Sequence, residues 1–77
     1  MITVYSKPNC QPCRLTKVQL DSMGVEYVEK NVDDSEQARS EALEYGHRQM
    51  PIVVTGDDHW SGFRPDKLAE LGKPEGD

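Results

Sequence analysis

The sequence predicts an α/β domain with its elements in the order βαβαββα, and three observations carry that prediction. A β-branched and aromatic run at Ile2–Tyr5 is followed by a segment of helical period from Gln11 to Gly24, then by a second strand-forming run at Val25–Glu29. The short apolar run Ile52-Val53-Val54 is joined through Gly56-Asp57-Asp58 to His59-Trp60-Ser61, the pattern of an antiparallel hairpin. Pro65 then stands at the first position of a last helix, with Leu68 and Leu71 as its apolar i, i+3 pair.

The first strand ends at the turn-forming Ser6-Lys7-Pro8-Asn9. In the helix that follows, Cys13, Leu15, Leu20 and Met23 fall on one arc, with Arg14, Lys17 and Asp21 opposite. Asn9 or Cys10 is expected as its N-cap. Pro12 is tolerated in the first turn, where its missing N–H has no intrahelical partner, and Gly24 supplies the stop. A strand, helix and strand joined this closely predict a right-handed crossover to a parallel neighbour, which places Cys10 beyond the carboxyl end of the first strand. Asp34 with Gln37 three positions on reads as a capping box for a second helix ending near Gly46. Its apolar face is Ala38, Ala42 and Leu43, and Glu36, Arg39, Glu41 and Glu44 read as solvated surface. Residues 1–72 are expected to form one domain, with 73–77 as a short flexible tail.

Composition narrows the function. A chain of 77 residues offers room for one small core, and 30% charged against 35% apolar residues is an ordinary water-facing balance. Fourteen acidic residues against nine basic give a net charge of −5 with no Lys/Arg stripe, which argues against nucleic acid as a partner. No apolar run approaches the roughly 20 residues that span a bilayer, so no membrane association is expected. A strand begins at once with no leader ahead of it, so a cytoplasmic location is expected, and there a single cysteine pair points to catalysis rather than to a structural staple.

That pair is Cys10-Gln11-Pro12-Cys13, set at a helix start just after a strand. Cys10 is the candidate nucleophile, because the free N–H groups and positive dipole end of the helix favour thiolate, and Lys7 adds positive charge. Cys13, one turn on, would resolve the mixed disulfide. The alternative is a pair of buried structural thiols. Zinc would need four ligands, and only His47 and His59 remain, at no recognisable spacing. Each is expected to be an ordinary surface or loop residue, and no metal is assigned.

The whole arrangement, including Met50-Pro51 ahead of the third strand, resembles the thioredoxin fold in its minimal glutaredoxin form. That resemblance implies a four-stranded mixed sheet flanked by three helices and a cis Met50–Pro51 bond whose loop packs on the active-site disulfide. The segment Trp60-Ser61-Gly62-Phe63-Arg64-Pro65 is similar to the signature of the NrdH-redoxins, and Ile2–Tyr5, Arg48-Gln49 and Asp66 extend the likeness along nearly the whole chain. Gln11-Pro12 departs from that family, which usually has Val-Gln or Met-Gln between its cysteines, and resembles the Gly-Pro of thioredoxin.

Membership of that family implies a monomeric dithiol–disulfide oxidoreductase that donates electrons to the large subunit of a class Ib ribonucleotide reductase and is reduced by thioredoxin reductase. No cofactor would be bound, since NADPH and flavin reside on the reductase. The resemblance also implies a partner-facing surface of Lys7, Gln11, Pro12, Met50, Pro51, Trp60, Ser61, Gly62, Phe63 and Arg64, with Trp60, Ser61 and Arg64 hydrogen-bonded in a network that braces the last helix. Phe63 has core packing as its equal alternative. A glutathione- or mycothiol-linked glutaredoxin and a non-catalytic redox-sensing module are the competing functions. A glutaredoxin that binds glutathione would carry a glycine pair and an acidic residue where Phe63 and Arg64 stand.

Overall fold

In the computed structural model, which describes residues 2–72, β1 (Thr3–Ser6) runs between two apolar layers. Successive strand side chains point to opposite faces, so Val4 enters one layer and Tyr5 the other. β1 pairs in parallel with β2 (Val28–Asn31) and antiparallel with β3 (Ile52–Val54), and β3 pairs antiparallel with β4 (His59–Ser61). The resulting order is β2-β1-β3-β4, a mixed four-stranded sheet. α1 (Gln11–Ser22) and α3 (Pro65–Leu71) pack against each other and, with the sheet, enclose Val4, Leu20, Val53, Trp60 and Leu68. α2 (Glu36–Glu44) contributes Ala38 and Ala42 to the second layer, with Tyr5, Val32 and Ile52. The element order and the hairpin are those expected. The proposed tail at 73–77 lies outside the described residues.

Where elements differ from expectation, local hydrogen bonding accounts for it. The strand expected at Val25–Glu29 is β2, which begins at Val28. Gly24, at φ +71, lets Val25 N–H reach back to the Leu20 carbonyl at 3.0 Å and Gly24 N–H to that of Asp21 at 3.1 Å, closing α1. Val25 and Tyr27 then pack on the core before Val28 N–H joins the Ile2 carbonyl at 2.8 Å. The first strand likewise starts at Thr3 and takes in Ser6. The cap of α2 is Ser35, whose hydroxyl accepts from Ala38 N–H at 3.2 Å, in place of the expected Asp34.

The apolar faces also need correction. In α1 the buried positions are Cys13, Thr16 and Leu20, and Leu15 is exposed. Thr16 is buried at no polar cost because its hydroxyl donates to the Pro12 carbonyl at 2.9 Å. In α2 Ala38 and Ala42 are buried against Tyr5, Val32 and Ile52, whereas Leu43 is 62% exposed.

Candidate active site

Cys10 is the N-cap of α1. Its backbone is extended, and its Sγ accepts the Cys13 N–H at 3.2 Å, taking up one of the donors that a helix start leaves free. The expected choice between Asn9 and Cys10 is thereby decided. Asn9 supplies the turn ahead of the cap at φ 57, a left-handed conformation that asparagine tolerates. Cys10 and Cys13 are joined in a disulfide, with Cα atoms 5.2 Å apart. Cys10 retains 8% exposure and Cys13 only 1%, so the Cys10 sulfur is the one an incoming disulfide can reach. With free N–H groups and the positive end of the helix dipole beside it, a reduced Cys10 is favoured as thiolate.

Two further segments meet this helix start. The Met50 carbonyl lies 3.7 Å from Cys10 Sγ, and the following Pro51 is buried and joined through a cis bond, as the resemblance implied. The Pro51 carbonyl accepts from Gly62 N–H at 2.9 Å, and Gly62 adopts φ +80, a turn that favours glycine. The distant segment from Trp60 to Pro65 is thus joined through Gly62 to Pro51, the residue after Met50. Gln11 and Lys7 are exposed and Pro12 is half-buried around the same helix start, and Lys7 pairs with no carboxylate among the described residues.

The expected network of Trp60, Ser61 and Arg64 does not form. Trp60 faces the core, 5% exposed, and its indole N–H has no partner among the described residues. Ser61, its neighbour in β4, points to the opposite face by strand alternation. Arg64 instead turns back on α3, donating to both Asp66 carboxylate oxygens at 3.2 and 3.1 Å, which lowers the Asp66 pKa. What braces α3 is the Trp60 ring in the core and Lys67, which lies 5.6 Å over that ring and pairs with Asp58 at 3.1 Å. Phe63 is half-buried against the same core.

Two arrangements carried no signal in the sequence. Glu29 Oε2 accepts from Lys17 Nζ and from the buried Ser6 hydroxyl, both at 2.7 Å, and these bonds lower its pKa, Lys17 contributing most. This ties α1, one turn past Cys13, to Ser6 at the end of β1 and to Glu29 within β2, and it depends on a parallel register that no local pattern reveals. His47 and His59 also come together, with ring nitrogens 2.8 Å apart. Among the described residues no group of three or more His, Cys, Asp or Glu side chains gathers as a metal cage. A groove of about 890 Å³, lined by Ile2, Asp21 and Gly24 to Glu29, lies by the far end of α1, away from the cysteines.

The glutaredoxin family model matches residues 2–60. The chain is 43% identical to the glutaredoxin-like protein NrdH of Salmonella typhimurium, over 91% of this chain and 86% of that protein. It is 38% identical to NrdH of Lactococcus lactis, over 92% of this chain and 99% of that one. The solved structure of Escherichia coli NrdH-redoxin, described as a glutaredoxin-like protein with a thioredoxin-like activity profile, superposes with a TM-score of 0.86 at 38% identity, covering 91% of this chain and 92% of its own. With a thioredoxin-like fold and a cysteine pair at the start of its first helix, the chain belongs to the glutaredoxin family, among the NrdH-redoxins, as a thiol–disulfide oxidoreductase that works through its own two cysteines.

Proposed function

We propose that this chain is the dithiol electron donor of a class Ib ribonucleotide reductase and is itself reduced by thioredoxin reductase and NADPH. The observation that supports this reading is the bond from Gly62 N–H to the Pro51 carbonyl, which joins the segment Trp60 to Pro65 to the residue after Met50, whose carbonyl lies 3.7 Å from Cys10 Sγ. Phe63 and Arg64 there stand where a glutathione-binding protein would present a glycine pair and an acidic residue. Their half-buried ring and exposed guanidinium suit a protein surface better than a tripeptide.

Cys10 thiolate attacks one sulfur of the reductase subunit's disulfide, releasing the other as a thiolate that takes up a proton. Cys13 loses its proton and attacks Cys10 Sγ, releasing the second partner thiol. Two electrons have moved to the partner, and the Cys10–Cys13 disulfide remains. The flavin enzyme then returns two electrons from NADPH. Met50, whose carbonyl lies 3.7 Å from Cys10 Sγ, would form the docking rim with the exposed or half-buried Lys7, Gln11, Pro12, Ser61, Gly62, Phe63 and Arg64, and the buried Pro51 and Trp60 would support it from beneath. In this reading the protein acts as a cytoplasmic monomer.

The test is a coupled assay. NADPH oxidation is followed with thioredoxin reductase, this protein and a disulfide substrate, then with glutathione and glutathione reductase in place of the first enzyme. Rapid turnover in the first mixture and little in the second is expected. The reverse pattern would assign the chain to the glutathione-linked branch.

A further inference from the structure

His47 follows the glycine that ends the loop of α2, and His59 opens β4, the edge strand of the sheet. Their Nε2 and Nδ1 atoms face each other at 2.8 Å. We propose that these two imidazoles form a site for one exchangeable divalent transition-metal cation of the Zn²⁺, Ni²⁺ or Cu²⁺ class.

The geometry is close to what such a cation needs. Two imidazole nitrogens bound to one metal at about 2.0–2.1 Å lie roughly 2.9–3.4 Å from each other. To admit it the rings must part by a few tenths of an ångström and also turn, because the nitrogens now face each other in a hydrogen bond and their lone pairs must converge on the cation. Imidazole is a ligand suited to zinc, copper and nickel rather than to magnesium or calcium. In the metal-free pair one ring donates its N–H to the other. To bind a cation, the donating ring carries its proton on its other nitrogen, so both lone pairs face the metal and no net proton is released.

The strand that carries His59 is also set beforehand. His59 lies opposite Val54 in the ladder, its backbone N–H donates to the Asp58 carboxylate at 2.8 Å, and its ring packs against Tyr45 at 5.0 Å. Asp58 is fixed in turn by Lys67. No third His, Cys, Asp or Glu completes the group among the described residues, so water fills the remaining positions and the cation exchanges with solvent. The cysteines are no part of this site, which separates it from the redox chemistry.

The site is tested on the full, untagged chain in its disulfide form, where Cys10 and Cys13 cannot ligate metal. Zinc chloride titrated in a calorimeter is expected to saturate at one cation per chain and to raise Tm as its concentration rises, because it binds the native state alone. His47→Asn and His59→Asn should each weaken that binding by about tenfold or more. Paramagnetic Ni²⁺ should broaden the Tyr45 ring resonances before those of Tyr27, which lies beside β2 at the opposite edge of the sheet. Should a variant fail to fold, the nickel experiment on the unaltered chain still decides. Zinc affinity unchanged in both variants, no saturable binding, or equal broadening of Tyr27 and Tyr45 would overturn the proposal.

Discussion

The Sγ of Cys10 and the carbonyl oxygen of Met50 lie 3.7 Å apart, although forty positions separate them in the chain. A disulfide sulfur cannot donate to that carbonyl, but a Cys10 thiol can, so reduction turns a contact into a weak hydrogen bond. The Cys10 sulfur thus stands between an N–H that favours thiolate and a carbonyl that favours thiol. Incubated with a protein disulfide, Cys13→Ser should accumulate a covalent adduct that runs as one species on a non-reducing gel and dissolves with dithiothreitol. Cys10→Ser should form none, because Cys13 is 1% exposed. An adduct through Cys13 alone would reverse the assignment of roles.

The corrected face of α1 makes a direct test of packing. Leu20 is fully buried among Val4, Val53, Trp60 and Leu68, and truncation to alanine should cost about 2–5 kcal/mol in urea unfolding. Leu15 is 41% exposed, and Leu15→Ala should stay within about 0.5 kcal/mol of the parent. Equal losses would mean that both leucines share the core.

Glu29 gives the protein an acid-sensitive tie. Hydrogen bonds from Lys17, and secondly from Ser6, lower its carboxyl below the ordinary 4.5. The stability it adds is therefore complete above 4.5 and is lost as pH falls through the lowered folded value. Half-exposed ion pairs of this kind contribute about 0.2–1 kcal/mol. Glu29→Gln should be less stable than the parent at neutral pH, and the gap should close on acidification. A gap that persists in acid would point to lost packing rather than lost charge.

Tyr5 acts at the other end of the scale. Burial first, and then its hydrogen bond to Glu41 at 3.0 Å, push its hydroxyl up to about 12. An unfolded tyrosine ionises near 10, so the contribution of Tyr5 is full below 10 and drains away between 10 and 12. Tyrosinate absorbance should show one of the three tyrosines titrating at about 12, and that step should vanish in Tyr5→Phe.

The parts of this molecule that could be read in advance are those encoded by neighbours in sequence. The cysteine pair at a helix start, the Pro65 that opens α3 and the turn between Val54 and His59 each place their own signal within a few residues. The resemblance added the cis proline and the Trp60 to Pro65 segment. What escaped was set by register. Thr16 shares the buried face of α1 where Leu15 was expected, because the face turned to the sheet is decided by docking and not by the helix alone. Ser35 outcompeted Asp34 by a shift of one residue. The Ser6–Glu29–Lys17 tie and the histidine pair join positions that only the folded sheet brings together.

Because the sulfur of Cys10 is both the reacting atom and the acceptor for the Cys13 amide, every covalent change at that sulfur alters a backbone hydrogen bond. The first turn of α1 is consequently coupled to the oxidation state. Deuterium uptake at the Cys13 amide should therefore report, in the native protein and without any dye, how much of it is thiolate, disulfide or mixed disulfide at a given moment.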